Sequence, residues 1–314
     1  MSWRVPLLIA LASALAMPIA RAVSQDAPLD AAWLDRTWDF DQPAESEARF
    51  RHEFSTLPPG TAARLELSTQ IARAQGLQRQ FDAAQSTLDS VEQALSGQPQ
   101  RVAVRYLLER GRVYNSSRQP DRATPLFREA LDKARDAHED FLAIDAAHML
   151  GIAAPPADRL RWNLDAVAMT ERTDDVRSKR WLASLYNNIG WTYHERGEYA
   201  SALEYFDKAL PAWEARGGAG NVRFARWAIA RAYRSLGRYD EALAIQRQLA
   251  VEGTEARAPD GYVYEELGEL LLAKGDPAAR PNFARAFELL GFDGELRANE
   301  PERLARLKRL GEAQ

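Results

Sequence analysis

The chain has 314 residues, of which 46% are hydrophobic, and this is enough apolar material for a sizeable core. Its formal net charge at pH 7 is −4, which argues against non-specific binding to nucleic acid or to an anionic membrane, because both require a basic face. The absence of cysteine from the sequence excludes disulfides, Fe–S clusters, thiol catalysis and zinc sites built on cysteine.

Residues 1–22 have the three parts of a secretory signal peptide. Arg4 gives a positive start, residues 5–20 form an apolar run, and residues 20–22 supply the small residues of a cleavage site. The apolar run is 16 residues long, short of the about 20 that span a bilayer, so cleavage after Ala22 is favoured over retention as an anchor. We therefore expect a periplasmic or secreted protein that has no stable membrane insertion once the signal is removed.

Residues 23–60 are predicted to be an acidic lead-in segment that ends at a Pro-Pro-Gly sequence. Residues 45–54 within it have a helical pattern, and three aromatic residues stand before them: Trp33, Trp38 and Phe40. We favour the interpretation that the segment covers the exposed face of the structure that follows it. The alternative is that the segment mimics a ligand and occupies a binding surface of its own chain.

Residues 61–292 are predicted to be an array of helical hairpins. In the best-defined part, residues 184–214, two helical periodicities flank Gly197: Tyr186, Ile189, Gly190 and Tyr193 before it, and Tyr199, Ala202, Phe206 and Ala209 after it. The small side chain of Gly190 allows two antiparallel helices to approach closely beside the ring of Phe206. Such a hairpin cannot bury its apolar face alone, so it must stack on neighbours.

The same pattern returns in six units. The equivalent small-residue positions, 37 to 42 residues apart, are Ala72, Gly111, His148, Gly190, Ala230 and Gly268. Unit three is the most degraded, with a histidine at the small position and Pro155-Pro156 at its turn. Residues 293–314 are predicted to contain a capping helix with Asn299 as its N-cap, of the kind that a repeat array needs for solubility. No stretch keeps an alternation of period two, so the sequence predicts an all-α fold.

The sequence of residues 184–214 resembles a tetratricopeptide repeat, with Y-x2-I-G-x2-Y at residues 186–193 and A-x3-F at residues 202–206. The period near forty is longer than the usual ~34 and resembles the repeats of kinesin light chains. The resemblance implies a right-handed α-solenoid of about six hairpins with a C-terminal capping helix. It also implies a non-catalytic scaffold or adaptor that binds an extended peptide segment of a partner protein in the concave groove.

In such an array the first helix of each hairpin lines the groove, and one stripe of that helix faces inward. The stripe predicts these groove residues: Arg112 and Asn115 in unit two, Asn187, Trp191 and His194 in unit four, and Trp227, Arg231 and Arg234 in unit five. The pair Asn187-Asn188 resembles the asparagine pair of kinesin light chains and related repeats, in which a groove asparagine binds the backbone of an extended peptide. A carboxamide suits this role because it offers both a donor and an acceptor. Arg231 and Arg234 are expected to pair with a carboxylate of an acidic partner, so reversing both charges is expected to weaken binding without changing stability. Trp191 and Trp227 are expected either to anchor a ligand or to pack between repeats.

No residue pattern indicates a catalytic site, a metal site or a cofactor. The four histidines are scattered and none completes H-E-x-x-H, and the glycine-rich residues 217–220 lie between two helical patterns instead of after a strand. Glu265 and Glu269, about one turn apart in unit six, are interpreted as solvated in preference to an acid/base or cation-binding pair. Besides the scaffold, two other classes stay open: an oligomerisation module of an exported complex and, less favoured, an enzyme.

Overall fold

The computed structural model describes residues 24–312, and the predicted signal peptide lies outside them. Throughout the described residues the secondary structure is helical, and no β-strand is present there. The lead-in contains α1 (Ala31–Thr37) and α2 (Pro43–Thr56), and the second of these is longer than predicted at both ends. None of the helices in this part of the chain combines the length and the apolar character needed to cross a bilayer.

Six helical hairpins follow α2 and stack into an α-solenoid, which confirms the predicted fold class. Their helices are α3 (Ala62–Leu77) and α4 (Phe81–Gln93), α5 (Gln100–Ser116) and α6 (Pro120–Asp136), α7 (Asp140–Ala153) and α8 (Pro156–Arg172), α10 (Leu182–Glu195) and α11 (Tyr199–Arg216), α12 (Ala219–Ser235) and α13 (Tyr239–Glu255), and α14 (Gly261–Ala273) and α15 (Ala279–Leu290). The short α9 (Val176–Lys179) lies between the third and fourth hairpins, and α16 (Gly294–Asn299) and α17 (Pro301–Glu312) follow the sixth.

Close approach of the two helices depends on a glycine of the first helix in three hairpins. The glycines and the rings they contact are Gly111 with Phe127, Gly190 with Phe206, and Gly268 with Phe283. In each pair a Cβ added to the glycine would lie 2.5–2.7 Å from the nearest ring carbon. The three rings are at most 1% exposed. The predicted small-residue position is therefore confirmed for units two, four and six.

In unit three the structure corrects the predicted alignment. The residue that meets the second helix is Gly151, whose added Cβ would lie 2.5 Å from the Asn163 side chain, and not His148. Leu150 and Gly151 repeat the Ile-Gly pair of unit four, and the contact residue follows the glycine by 12 positions instead of 16, which obscures the pattern. His148 then stands three residues before the glycine, as Asn187 does in unit four.

The second helix of the lead-in, α2, packs on the first helix of the first hairpin. Phe50 of α2 is 0% exposed and belongs to one apolar cluster with Leu67 and Ile71 of α3. This part of the lead-in therefore covers the first hairpin, as the favoured interpretation of the sequence expects. The first helix, α1, takes a different course and lies beside α3, α5 and α7.

At the other end of the array, α17 packs on α15, where the first helix of a further hairpin would lie. Leu304 and Leu307 of α17 are buried in this contact. The prediction that Asn299 caps the final helix is wrong, because Asn299 is the last residue of α16 and α17 begins at Pro301. Oδ1 of Asn299 accepts a hydrogen bond from Nη2 of Arg118 at 2.9 Å, so the C-terminal segment touches the second hairpin.

Candidate binding groove

The groove is the inner surface lined by the first helices of the hairpins, α3, α5, α7, α10, α12 and α14. Charged side chains join neighbouring helices along it. Glu66 of α3 is 1% exposed and accepts hydrogen bonds from Nε of Arg101 at 2.8 Å and Nε of Arg105 at 2.7 Å, both on α5. A carboxylate this buried is tolerated because both of its oxygens are paired with cations.

Arg112, a predicted groove residue, belongs to a similar internal network. It donates to Glu109 of its own helix at 2.6 Å and to Asp145 of α7. Burial alone would lower the pKa of Arg112, but these two carboxylates outweigh that effect and raise the pKa above its usual value. Arg112 is thus a structural cation between the second and third hairpins. Asn115 lies nearly one turn further along α5 and is half-buried.

Arg231 and Arg234 share one internal partner, Glu266 of α14. Glu266 is 1% exposed and accepts from Arg231, from Nε of Arg234 at 2.7 Å and from Nη2 of Arg234 at 3.1 Å. The two arginine side chains remain 31% and 23% exposed. Pairing of these arginines with an external carboxylate stays a prediction, and such a carboxylate would have to share them with Glu266.

The acidic pair of unit six is not solvated, contrary to the interpretation of the sequence. Glu265 accepts from Nε and Nη2 of Arg303 at 2.9 and 2.6 Å, and Glu269 accepts from Arg306, both arginines lying on α17. The capping helix therefore neutralises both carboxylates. No group of three or more candidate metal ligands comes together within the described residues.

An aromatic cluster spans the fourth, fifth and sixth hairpins. It consists of Trp191 on α10, Phe224 and Trp227 on α12, and Tyr262 on α14. The ring of Trp227 lies 5.8 Å from that of Trp191 and stacks on that of Phe224 at 5.9 Å, measured between centroids. Its Nε1 donates to the carbonyl oxygen of Tyr262 at 3.3 Å. Both predicted tryptophans thus pack between repeats, while Phe224, which the sequence reasoning passed over, is 44% exposed.

The polar residues beside this cluster are Asn187 and His194. Asn187 is half-buried on α10, and its Oδ1 is buried without a hydrogen-bond partner. His194 Nε2 lies 2.9 Å from Oγ of Ser235, and its ring lies 5.3 Å from that of Trp191. Burial, followed by the nearby Arg231, holds the pKa of His194 below its usual value. Six of the predicted groove residues therefore lie on adjoining helices, whereas Arg112 and Asn115 lie two hairpins away.

The N-terminal half of the groove contains α1. The carboxylate of Asp35 accepts from Nε and Nη2 of Arg177 at 2.9 and 2.8 Å, and from Nη1 of Arg180 at 3.0 Å. These arginines lie in and just after α9, between the third and fourth hairpins. α1 therefore lies against the helices that line the groove, and the alternative interpretation, that the lead-in mimics a ligand there, stays a prediction.

Aromatic residues that follow α1 rest on the first hairpin. Nε1 of Trp38 donates to Oε1 of Gln70 at 3.0 Å, and the Trp38 ring stacks on Phe40 with centroids 4.7 Å apart. The guanidinium of Arg73 lies 5.5 Å from the Trp38 centroid and 5.1 Å from that of Phe40. The clustering of aromatics in the lead-in was the one indication of this contact in the sequence.

Residues 180–250 match the family model described as tetratricopeptide repeat. No curated protein matches the sequence. Among solved structures, the chain is similar to BtubC (BKLC) from P. vanneervenii, with 16% identity, a TM-score of 0.53, and coverage of 69% of this chain and 89% of that one. It is also similar to the apo form of RapI, with 12% identity, a TM-score of 0.65, and coverage of 89% and 78%.

A third similar structure is a putative kinesin light chain from Podosopora anserina with nearly identical TPR-like repeats. The identity is 17% and the TM-score 0.50, over 63% of this chain and 99% of that one. At these identities the likeness concerns the fold alone. The family match in units four and five and the shared solenoid together support a tetratricopeptide repeat protein, and this fold is generally a scaffold for protein–protein interaction.

Proposed function

We propose that the protein is a non-catalytic scaffold that binds an extended segment of a partner protein in the C-terminal half of the groove, formed by α10, α12 and α14. The observation that carries the proposal is the buried Oδ1 of Asn187, which accepts no hydrogen bond from residues 24–312. Leaving such an acceptor unpaired costs about 1–3 kcal/mol. This oxygen is closed off from solvent, so the side chain has to turn towards the groove, where its carbonyl would accept from a backbone N–H of a bound peptide and its amide would donate to a peptide carbonyl.

Apolar contact with the partner comes from the aromatic cluster. Trp191 and Trp227 are packed between hairpins and support the surface, while Phe224 stacks on Trp227 and exposes 44% of its area. An exposed ring on a rigid support loses little conformational entropy when a ligand covers it, so rings of this kind are common anchors in interfaces.

The charges of this half favour an acidic partner. Arg231 and Arg234 together carry two positive charges, and Glu266, their shared partner, carries one negative charge. One positive charge is therefore left over on side chains that remain partly exposed. A carboxylate in the bound segment would gain from it, whereas a basic segment would be repelled.

The test is a selection of peptides from a displayed random library on the full chain, followed by affinity measurement with fluorescence anisotropy. Asn187→Ala is expected to weaken the selected peptides about 2- to 13-fold, the equivalent of one net hydrogen bond. Phe224→Ala is expected to weaken them about fivefold or more. The matched control is Glu204→Ala on the outer helix α11, where the side chain is 63% exposed.

Circular dichroism of each variant checks that the helices are unchanged. Peptides that bind both groove variants as tightly as the wild type, or that lose affinity only in the Glu204→Ala control, would refute the proposed site. Static light scattering of the free chain tests the oligomerisation alternative, because a concentration-dependent oligomer without peptide binding would favour that function.

We also propose that the scaffold works outside the cytoplasm, on the basis of residues 1–22 of the sequence. The expected mature chain begins at Val23. Mass spectrometry of protein recovered from the periplasm or the culture medium of a bacterial host tests this directly. A mass that still includes Met1 in cytoplasmic protein, with none exported, would overturn the proposed location.

A further inference from the structure

The carboxylate of Asp35 in α1 is held by a site whose key arginine is positioned by other parts of the chain. Arg177 grips both oxygens of Asp35, at 2.9 and 2.8 Å, and Arg180 adds a third contact. The guanidinium of Arg177 lies 3.5 Å from the ring centroid of Phe141 on α7, and its backbone N–H donates to Asp175 Oδ1, which caps α9, at 2.9 Å. Neither contact involves α1, and a guanidinium can pair in this bidentate way with any carboxylate.

A second subsite lies on α3 and holds an aromatic ring. Trp38 donates to Gln70 at 3.0 Å and lies under the guanidinium of Arg73 together with Phe40. Asp35 and Trp38 are three positions apart, so they fall on the same side of a helical turn. The two subsites are thus matched to a segment in which a carboxylate precedes an aromatic residue by three positions.

α1 has little capacity to keep its place without these contacts. It is seven residues long and buries one side chain, Leu34. Isolated helices shorter than about 12–15 residues are marginal in water. Phe40 is 51% exposed and the Asp35 side chain 28%, so water screens part of this contact. The segment is therefore a weak ligand that a competing segment can displace.

α1 also leaves part of the site unused. A cavity of about 320 Å³ remains between α1 and the walls of the groove, and Arg216 at the end of α11 is among its lining residues. No carboxylate among residues 24–312 forms an ion pair with Arg216, which donates a hydrogen bond to Oγ of Ser184 at 3.5 Å and lies 5.2 Å from the ring centroid of Trp213. Burial, and then the nearby Arg180, lowers the pKa of Arg216, whereas Asp35 opposes the shift, and a further carboxylate close to Arg216 would raise the pKa again.

We propose that residues 34–40 are an internal ligand of the N-terminal half of the groove, and that this half binds a partner segment of matching chemistry. That segment carries a carboxylate three positions before an aromatic residue, and a second carboxylate that reaches Arg216. It displaces α1 because it fills the cavity and forms an ion pair with Arg216, whereas Asp35 of α1 pairs with Arg177 and Arg180. The inference rests on the proposed scaffold function and adds the chemistry of the partner and a second site, separate from Asn187.

The test uses the full chain and a fluorescein-labelled peptide with the sequence of residues 29–42. Asp35→Lys releases α1 from the arginines, so this variant is expected to bind the peptide at least about tenfold more tightly than the wild type, whose own segment competes at high effective concentration. Adding Arg177→Glu to that variant is expected to weaken the peptide at least about tenfold, because a bidentate charged pair is lost. Arg196→Glu, at an exposed turn, is the matched control.

A second releasing variant, Trp38→Ala, guards against a folding defect of Asp35→Lys, and circular dichroism monitors both. A folded releasing variant that does not bind the peptide, or whose binding is unchanged by Arg177→Glu, would overturn the inference. Wild-type dimers that dissociate in Asp35→Lys would also overturn it, in favour of exchange of α1 between copies. Loss of this peptide alone leaves the site at Asn187 standing, whereas loss of the library peptides too would remove the proposed function.

The role of Arg216 has its own readout. A peptide library that keeps the acidic and aromatic residues at their spacing and varies the flanking positions is expected to enrich a further acidic residue on Asp35→Lys. The enrichment is expected to disappear when Arg216→Glu is added. Equal enrichment with and without Arg216→Glu would overturn the assignment of the second carboxylate to this arginine.

Discussion

Replacement of Glu266 by glutamine is expected to destabilise the C-terminal half of the solenoid. Glu266 is 1% exposed, and its oxygens accept from Arg231, from Nε of Arg234 at 2.7 Å and from Nη2 of Arg234 at 3.1 Å. Glutamine has nearly the same size. It carries no charge, however, and it presents an NH₂ group to an arginine donor where the carboxylate presents an oxygen.

The magnitude follows from these three contacts. A hydrogen bond to a charged group contributes about 1.5–3 kcal/mol, and after the substitution each contact keeps its charged donor but loses the charge of its acceptor, for which we take a loss of about 1 kcal/mol per contact. The side chains of Arg231 and Arg234 are 31% and 23% exposed, which allows each guanidinium to turn partly towards water. We therefore expect a loss of about 2–3 kcal/mol in the free energy of unfolding, somewhat less than the sum.

Urea unfolding followed by circular dichroism measures the loss, and hydrogen exchange in α12 and α14 locates it, because stability in a repeat array is local. Glu269→Gln is the matched control on the same helix. Its partner Arg306 is 44% exposed, so the control is expected to lose less than about 1 kcal/mol. Equal losses for the two variants, or unchanged exchange in α12 after Glu266→Gln, would refute the reasoning.

The same geometry changes the choice of variants for binding studies. Reversing the charges of Arg231 and Arg234 would place two further carboxylates beside Glu266, and like charges at this distance repel. The expectation from the sequence, that this double variant keeps its stability, therefore does not fit the structure. Asn187 and Phe224 are better probes, because neither takes part in an ion pair.

Two other predictions concern packing and pH. Gly190→Ala is expected to lower the free energy of unfolding by about 1–3 kcal/mol, because the added Cβ would lie 2.5 Å from the buried Phe206 ring. The control is Gly220→Ala, whose added Cβ meets nothing within 4 Å. Equal melting temperatures for the two variants would contradict this prediction. Burial holds the pKa of His148 at about 4, below 6.5, although Asp145 opposes the shift. The unfolded chain therefore takes up the proton first, and stability is expected to fall by up to about 3 kcal/mol as the pH drops from about 6.5 towards 4. In urea unfolding at pH 7 and pH 5, His148→Gln should reduce that fall, and an identical fall would contradict the assignment.

Much of the fold was predictable from the sequence because the packing of each hairpin is local. Gly190 and Phe206 are 16 residues apart and meet inside one hairpin. A short stretch of sequence is therefore enough to predict that a small residue packs beside an aromatic ring. The inward stripe is also local, since it follows from helical periodicity alone. Trp191, His194 and Trp227 accordingly lie close together on adjoining helices, and their contact with a ligand stays a prediction.

The partners of the inward-facing charges were not predictable in the same way. Arg112 meets Asp145, and Arg231 meets Glu266, across two successive first helices, 33 and 35 residues apart. Which side chains meet there depends on the rotation and shift of one hairpin against the next, and periodicity within a helix does not define either. The position of α1 depends on a still longer separation, 142 residues from Asp35 to Arg177.

These internal pairs limit how the groove can recognise a partner. Glu66, Asp145 and Glu266 are each paired with arginines of a neighbouring helix, so an external ligand cannot use those cations fully without leaving a buried carboxylate unpaired. Recognition is then left to groups with unused capacity. In the C-terminal half these are the amide of Asn187 and the ring of Phe224, which suit a peptide backbone and an apolar side chain. In the N-terminal half the groups are Arg177 and Arg180, which hold Asp35 of α1, and Arg216, which forms no ion pair within residues 24–312. These arginines suit an acidic sequence.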